Sequence, residues 1–187
     1  MPTAKNSLRE FEVLAECDVS AAVDAAIRDL LGTCFPADAS VFAKNRAWHD
    51  SSPAYSVLCC IRGRIVGHLG MVFRTIRCGS VETQVAGVQN LCVEPAHRGT
   101  GISHELMQRA LAEAKQRGVS FGLLFCVPKL ERLYAAQGWQ TIDTSVTMLD
   151  ERGSRVSLPA KNIAMVCELG TSAEIPPGPI DLLGRDW

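Results

Sequence analysis

The stretch Leu91-Cys92-Val93-Glu94-Pro95-Ala96-His97-Arg98-Gly99-Thr100-Gly101-Ile102-Ser103 has the residue types and spacing to hold an anion. An apolar, strand-like run ends at Val93, a turn carries Gly99 and Gly101, and an amphipathic run follows. A strand, a glycine turn and a helix start together aim backbone N–H groups at a ligand, and a phosphate or pyrophosphate is the natural occupant. The expected donors are the N–H groups from Arg98 to His104, with the Arg98 side chain adding charge. Gly99 and Gly101 would let the chain approach the phosphates with no Cβ in the way. The third glycine of the dinucleotide fingerprint is replaced by His104, and the lysine of a Walker A loop is missing. These absences argue against NAD enzymes and P-loop ATPases.

Positioning that turn requires a particular order of elements. Residues 8–14 read as a first strand, and Asp18 or Ser20 can cap a helix running to about Leu31. Residues 35–52 read as a long loop with a short helix. Residues 55–61, 65–77 and 81–93 form an antiparallel meander with a bend expected near Gly87. Ser103 to Arg117 is the clearest helix, with Ile102, Leu106, Ala110 and Ala114 recurring every fourth position and Gly118 as its stop. Phe121 to Val127 reads as a central strand buried on both faces. A short helix from about Leu130 to Gln137, a strand from Trp139 toward Leu149 and a last strand over 163–169 complete the order. The tail 170–187 holds Pro176, Pro177 and Pro179, which exclude a helix there. The sum is an α/β domain with a mixed, mainly antiparallel sheet of about six or seven strands and about four helices.

Bulk properties narrow the partners. The net charge is −1, so no basic field exists for a nucleic-acid backbone or an anionic membrane. The eight cysteines form no CxxC pair and fall mostly in apolar runs, which suits free thiols in a reducing cytoplasm. His49, His68, His97 and His104 show no metal-ligand spacing, so no metal is expected. The first residues lack an apolar signal core, and no run approaches the roughly eighteen apolar residues of a membrane span.

Two motifs carry a family resemblance. Arg98-Gly99-Thr100-Gly101-Ile102-Ser103, preceded by Leu91-Cys92-Val93-Glu94-Pro95, resembles the cofactor motif of the GCN5-related N-acetyltransferases (GNAT), which use acetyl-coenzyme A. Ser103 stands where that motif has glycine or alanine. Leu133-Tyr134-Ala135-Ala136-Gln137-Gly138-Trp139 resembles a second motif of the same superfamily, in the expected order. The resemblance covers roughly residues 55–140 and implies one acetyl-CoA-dependent N-acetyltransferase domain over 1–187, with coenzyme A as product.

By that resemblance, Asn90 to Val93, including Leu91, Cys92 and Val93, would pair with the pantetheine arm and splay away from the strand at 121–127. Tyr134 would be the general acid for the leaving thiolate, since a phenol of pKa about 10 keeps its proton at neutral pH. The general base is open between Glu82 and a relay through ordered water. Direct attack of a small-molecule primary amine on the thioester is the simplest reaction.

Two relatives look nearer than the average. The length, Arg132 to Trp139, and a tail ending in tryptophan are similar to aminoglycoside 2'-N-acetyltransferase, where an acidic tail holds a cationic aminosugar. Asp181, Asp186 and Trp187 with its carboxylate are the matching candidates. Arg46-Ala47-Trp48-His49 and His68-Leu69-Gly70-Met71 are similar to the nodulation N-acyltransferase, which makes Trp48 a further acceptor-side candidate. Both relatives modify amines on sugars. A longer acyl donor and a noncatalytic acyl-CoA sensor stand as alternatives, and the superfamily allows a homodimer.

Overall fold

The computed structural model describes residues 9–48, 51–170 and 174–187. His49 and positions 171–173 of the tail lie outside the described residues. β1 (Arg9–Ala15) pairs antiparallel with β2 (Tyr55–Ile61), β2 with β3 (Arg64–Cys78), and β3 with β4 (Val81–Val93). Arg62 and Gly63 both take positive φ between β2 and β3, as a tight primed hairpin turn requires. β4 then runs parallel to β5 (Phe121–Cys126), the crossover being α3 (Ile102–Gln116). Beyond β5 lie β9 (Ile163–Glu168) and β6 (Gln140–Ile142). On the other side, the far end of β3 pairs with β10 (Ile180–Asp181), which lies beside β7 (Val146–Leu149) and β8 (Arg155–Ser157).

α3 buries Ile102, Leu106, Met107, Ala110 and Ala114 against one face of the sheet. Each fully buried leucine there contributes about 1.5–3 kcal/mol, so a charge at Leu106 would undock the helix. The opposite face carries α1 (Ala21–Cys34), whose Ile27, Leu30 and Leu31 pack with Leu58 and Cys92. Ser20 caps α1 by accepting the Val23 N–H at 3.3 Å. α2 (Ala39–Phe42) follows in the loop expected over 35–52, and α4 (Glu131–Ala135) follows β5.

Among the described residues, the mixed, mainly antiparallel sheet and four α-helices agree with the sequence expectation, but ten strands replace six or seven. The additions are pieces of two to four residues, too short for alternation to declare them. The single strand expected from Trp139 to Leu149 is two. β6 stays with β9, whereas the Ile180 N–H bonded to Ser145 O at 2.9 Å turns β7 toward the tail. Residues 174–187 form no helix, as their prolines demand, and supply β10 rather than leaving 163–169 as the last strand.

Candidate active site

The glycine turn lies at the end of β4, over the start of α3. His97 N–H bonds Glu94 O at 2.8 Å, closing one tight turn, and Gly99 and Gly101 then take φ of 71° and 84°. The first intrahelical bond of α3 runs from Glu105 N–H to Gly101 O at 3.1 Å. The N–H groups of Ile102, Ser103 and His104 therefore precede the helical ladder and remain available. No side chain caps this end, and a Cβ built on Gly99 or Gly101 would meet open space. Arg9 Nη1 donates to Thr100 O at 2.8 Å and Thr100 Oγ1 to His97 O at 2.6 Å, which fixes the turn from outside. Arg98 Nε donates to Val93 O at 3.1 Å while the residue stays exposed. An open, positively framed helix N-terminus fits a pyrophosphate.

Leading away from this turn is a fork. β4 and β5 pair only at Val85–Phe121, Ala86–Gly122 and Gly87–Leu123. β5 continues along β9 to Cys126, while β4 continues along β3 to Val93. From Val88 to Val93, β4 thus has no strand partner on its β5 side among the described residues. A bulge in β4 accompanies this opening. His68 opposes Cys92 but Gly70 opposes Gln89, and the extra residue, Asn90, has φ 55°. A bulge bends its strand and increases local twist. Leu91, Cys92 and Val93, expected on the pantetheine arm, lie on the free prong, with Leu91 partly exposed and the other two buried.

Behind the bulge, His68 Nδ1 lies 3.2 Å from Asn90 O and His68 Nε2 lies 3.2 Å from Ser56 Oγ. Burial pulls its pKa down to about 4, so the ring is neutral. Asn90 Nδ2 donates to Arg46 O, and Gln89 Nε2 donates to Ser51 O at 2.9 Å. These bonds bind the loop after α2 to β4. The sequence places Asn90 only on the strand expected beside the pantetheine arm, and it does not mark Ser51 at all. The polar residues inside an apolar strand, Ser56, His68, Gln89 and Asn90, are the one signal that could find them.

Tyr134 sits on α4, just beyond β5. Its ring meets Trp139 edge-on at 6.4 Å. Burial, with the neighbouring Cys126 adding to it, pushes the hydroxyl up to about 12. The phenol therefore stays loaded with its proton across the neutral range. Burial raises Cys126 as well, which keeps that thiol neutral.

Glu82 is not brought to this place. It lies at the other end of β4, exposed and paired with Arg77 at 2.8 Å. Five steps of extended strand separate it from Gly87, about 17 Å. Asp181 belongs to the same distant end: it opposes Arg77 in the β3 ladder and pairs with Arg155 at 2.7 Å. Trp48 packs with Phe35 and Phe42, each at 5.1 Å, in the aromatic joint between α1 and α2. Asp186 and Trp187 do reach the fork. The Asp186 main-chain carbonyl accepts from Ser51 Oγ at 2.8 Å, and the Trp187 indole lies between Phe125 and Arg74. Among the described residues no group of His, Cys, Asp or Glu is arranged to hold a metal ion, and no helix is long and apolar enough to cross a membrane.

Known proteins share this fold. YhbS from Escherichia coli, crystallised in complex with CoA, superposes with a TM-score of 0.70 at 18% identity, over 97% of this chain and 93% of that one. A GNAT family acetyltransferase from Brucella melitensis in complex with acetyl-CoA gives 0.58 at 17% identity, over 91% and 94%. At these identities the likeness is one of fold. Nodulation protein A from Bradyrhizobium sp. (strain ANU 289) is 31% identical over 113 residues, 58% of this chain and 53% of that protein. Nodulation protein A from Bradyrhizobium elkanii is 32% identical over 111 residues, 56% and 51%. The matched region thus spans about half the length of these curated relatives. Residues 21–142, from α1 through β6, match the acetyltransferase (GNAT) domain, and the chain belongs to that family of acetyltransferases.

Proposed function

We propose that this protein transfers an acetyl group from acetyl-CoA to a primary amine of a small molecule, an amino sugar or aminoglycoside, by direct attack on the thioester. Acetyl-CoA is the cosubstrate consistent with the family. The observation that carries the reading is the β4/β5 fork opening from Gly87 and leading to the uncapped start of α3. The N–H groups of residues 99–104 and the Arg98 guanidinium would hold the pyrophosphate. The free edge of Leu91, Cys92 and Val93 would bond the pantetheine amides, and Tyr134 would return a proton to the sulfur. The amine loses its proton through ordered water, because Glu82 stands at the wrong end of β4. All eight cysteines are free thiols, which suits a reducing cytoplasm.

The amino-sugar acceptor rests on the sequence resemblances, and Asp186 with Trp187 supports it from the tail. In this reading residues 174–187 form one wall of a single catalytic domain. The test is thiol release from acetyl-CoA across aminoglycosides, amino sugars, polyamines and amino acids. Turnover with amino sugars or with aminoglycosides bearing a free 2'-amine is the expected result. Turnover confined to polyamines or amino acids would refute the acceptor class and keep the acetyl transfer.

A further inference from the structure

Gly87 is the last β4 residue paired with β5, so it marks the apex of the fork. The Trp187 indole lies directly on it: a Cβ built at Gly87 would overlap Cε2, Cζ2 and Nε1 of that ring. From there the indole reaches the other prong. Its centroid is 5.3 Å from the ring of Phe125, two residues past Leu123 on β5. One side chain therefore bridges both prongs at the apex, on the face away from α3.

This bridge is fixed in place. The Arg74 guanidinium lies 5.1 Å from the indole centroid and donates to the Arg185 main-chain carbonyl. The same guanidinium bonds Ser51 Oγ at 3.1 Å, and Ser51 Oγ in turn bonds Asp186 O at 2.8 Å. Trp187 is 7% exposed. A wall held by a cation over its face and by bonds to the two preceding residues does not swing aside freely.

Direction supplies the consequence. With the phosphates at the start of α3, a pantetheine arm on the free edge of β4 runs from Val93 back toward Gly87. Its acyl group leads and points at the apex. We propose that Trp187 is a specificity-determining wall that limits the donor to short acyl groups, with Gly87 as the recess that admits the indole. This inference rests on the acyl-CoA reading of the fork. It separates a short-chain donor from the long-chain alternative, which needs an open apolar channel at this point.

The experiment is calorimetric binding of free coenzyme A, acetyl-CoA, butyryl-CoA and octanoyl-CoA to the wild-type protein, Trp187→Ala and Trp187→Phe. Each thioester is normalised to the same variant's affinity for free coenzyme A. An open channel would tighten binding by about fourfold per buried methylene. The expected wild-type result is the reverse, octanoyl-CoA binding about tenfold or more weakly than acetyl-CoA. Trp187→Ala should invert that ranking, and Trp187→Phe should fall between. Octanoyl-CoA binding the wild type as tightly as acetyl-CoA overturns the wall, and so does an unchanged ranking in a folded Trp187→Ala. If that variant does not fold, the wild-type series and Trp187→Phe decide. Failure of free coenzyme A and every thioester to bind overturns the donor reading, and the wall with it.

Discussion

His68 Nδ1 and the main-chain carbonyl of Asn90 lie 3.2 Å apart, which fixes both a tautomer and a bulge. A carbonyl only accepts, so Nδ1 carries the proton and Nε2 accepts from the Ser56 hydroxyl. Burial, assisted by the Arg46 charge, depresses the His68 pKa to about 4, against 6.5 for the free side chain. Between these values the unfolded chain binds the proton that the folded chain refuses. Stability is therefore complete above pH 6.5 and falls as pH drops toward 4, by up to about 3 kcal/mol. Urea unfolding at pH 7.5, 5.5 and 4.5 measures this. His68→Gln should be less stable at pH 7.5 yet lose less on acidification. An equal acid slope in both proteins would remove His68 as the cause.

Tyr134→Phe keeps the ring against Trp139 and removes only the hydroxyl. If the phenol protonates the departing thiolate, kcat should fall about a hundredfold or more, while the affinity for acetyl-CoA stays near the wild-type value. Steady-state kinetics paired with binding of acetyl-CoA reads both quantities. A variant that loses binding and turnover together would make Tyr134 a packing residue instead. The wild-type phenol, at about 12, should impose no alkaline decline near neutrality.

The glycine turn is legible in the sequence because its parts are local: one glycine pair, one apolar strand and one amphipathic helix within some twenty-five residues of chain. In the structure Gly99 and Gly101 take positive φ, and β4 beyond Gly87 is unpaired on its β5 side among the described residues. The apex of the fork is not legible. It depends on where β4 and β5 stop pairing, and no residue pattern marks that point. The Trp187–Gly87 contact joins positions one hundred residues apart, so no periodicity announces it. Glu82 drew attention by sequence proximity to the motif. A thirteen-residue strand is about 40 Å long, however, and Glu82 stands at the opposite end from Val93. Asp181 misled for the related reason that five residues of tail, bending at Leu183, separate it from Trp187. Trp48 reads as an acceptor contact by resemblance, yet the neighbouring Phe35 and Phe42 claim its ring.

Cys34 and Arg98 converge on one atom: Cys34 Sγ lies 3.4 Å and Arg98 Nε 3.1 Å from Val93 O. A thiol hydrogen bond from Cys92, with Arg98 assisting against burial, lowers Cys34 to about 7. Burial raises Cys59, Cys60, Cys78, Cys126 and Cys167 instead. Iodoacetamide should therefore label Cys34 ahead of those five, with a midpoint near pH 7, because the thiolate is the reactive form. Peptide mapping after timed labelling gives the order. Arg98→Gln should move the Cys34 midpoint upward; an unmoved midpoint would deny the guanidinium its role there.

The base can be tested by removing the carboxylate the sequence suggested. Glu82 is exposed, its charge is met by Arg77 at 2.8 Å, and no part of the fork lies near it. Glu82→Gln should change kcat/KM by less than about twofold, the range of an ordinary surface substitution. With water carrying the proton, the rate should rise with pH along the ionisation of the acceptor amine itself. Two acceptors of different basicity should then give two displaced profiles, and Glu82→Gln should reproduce both. A profile fixed at one pKa for every amine, and abolished in Glu82→Gln, would restore the carboxylate as base and require β4 to bring its two ends to one substrate.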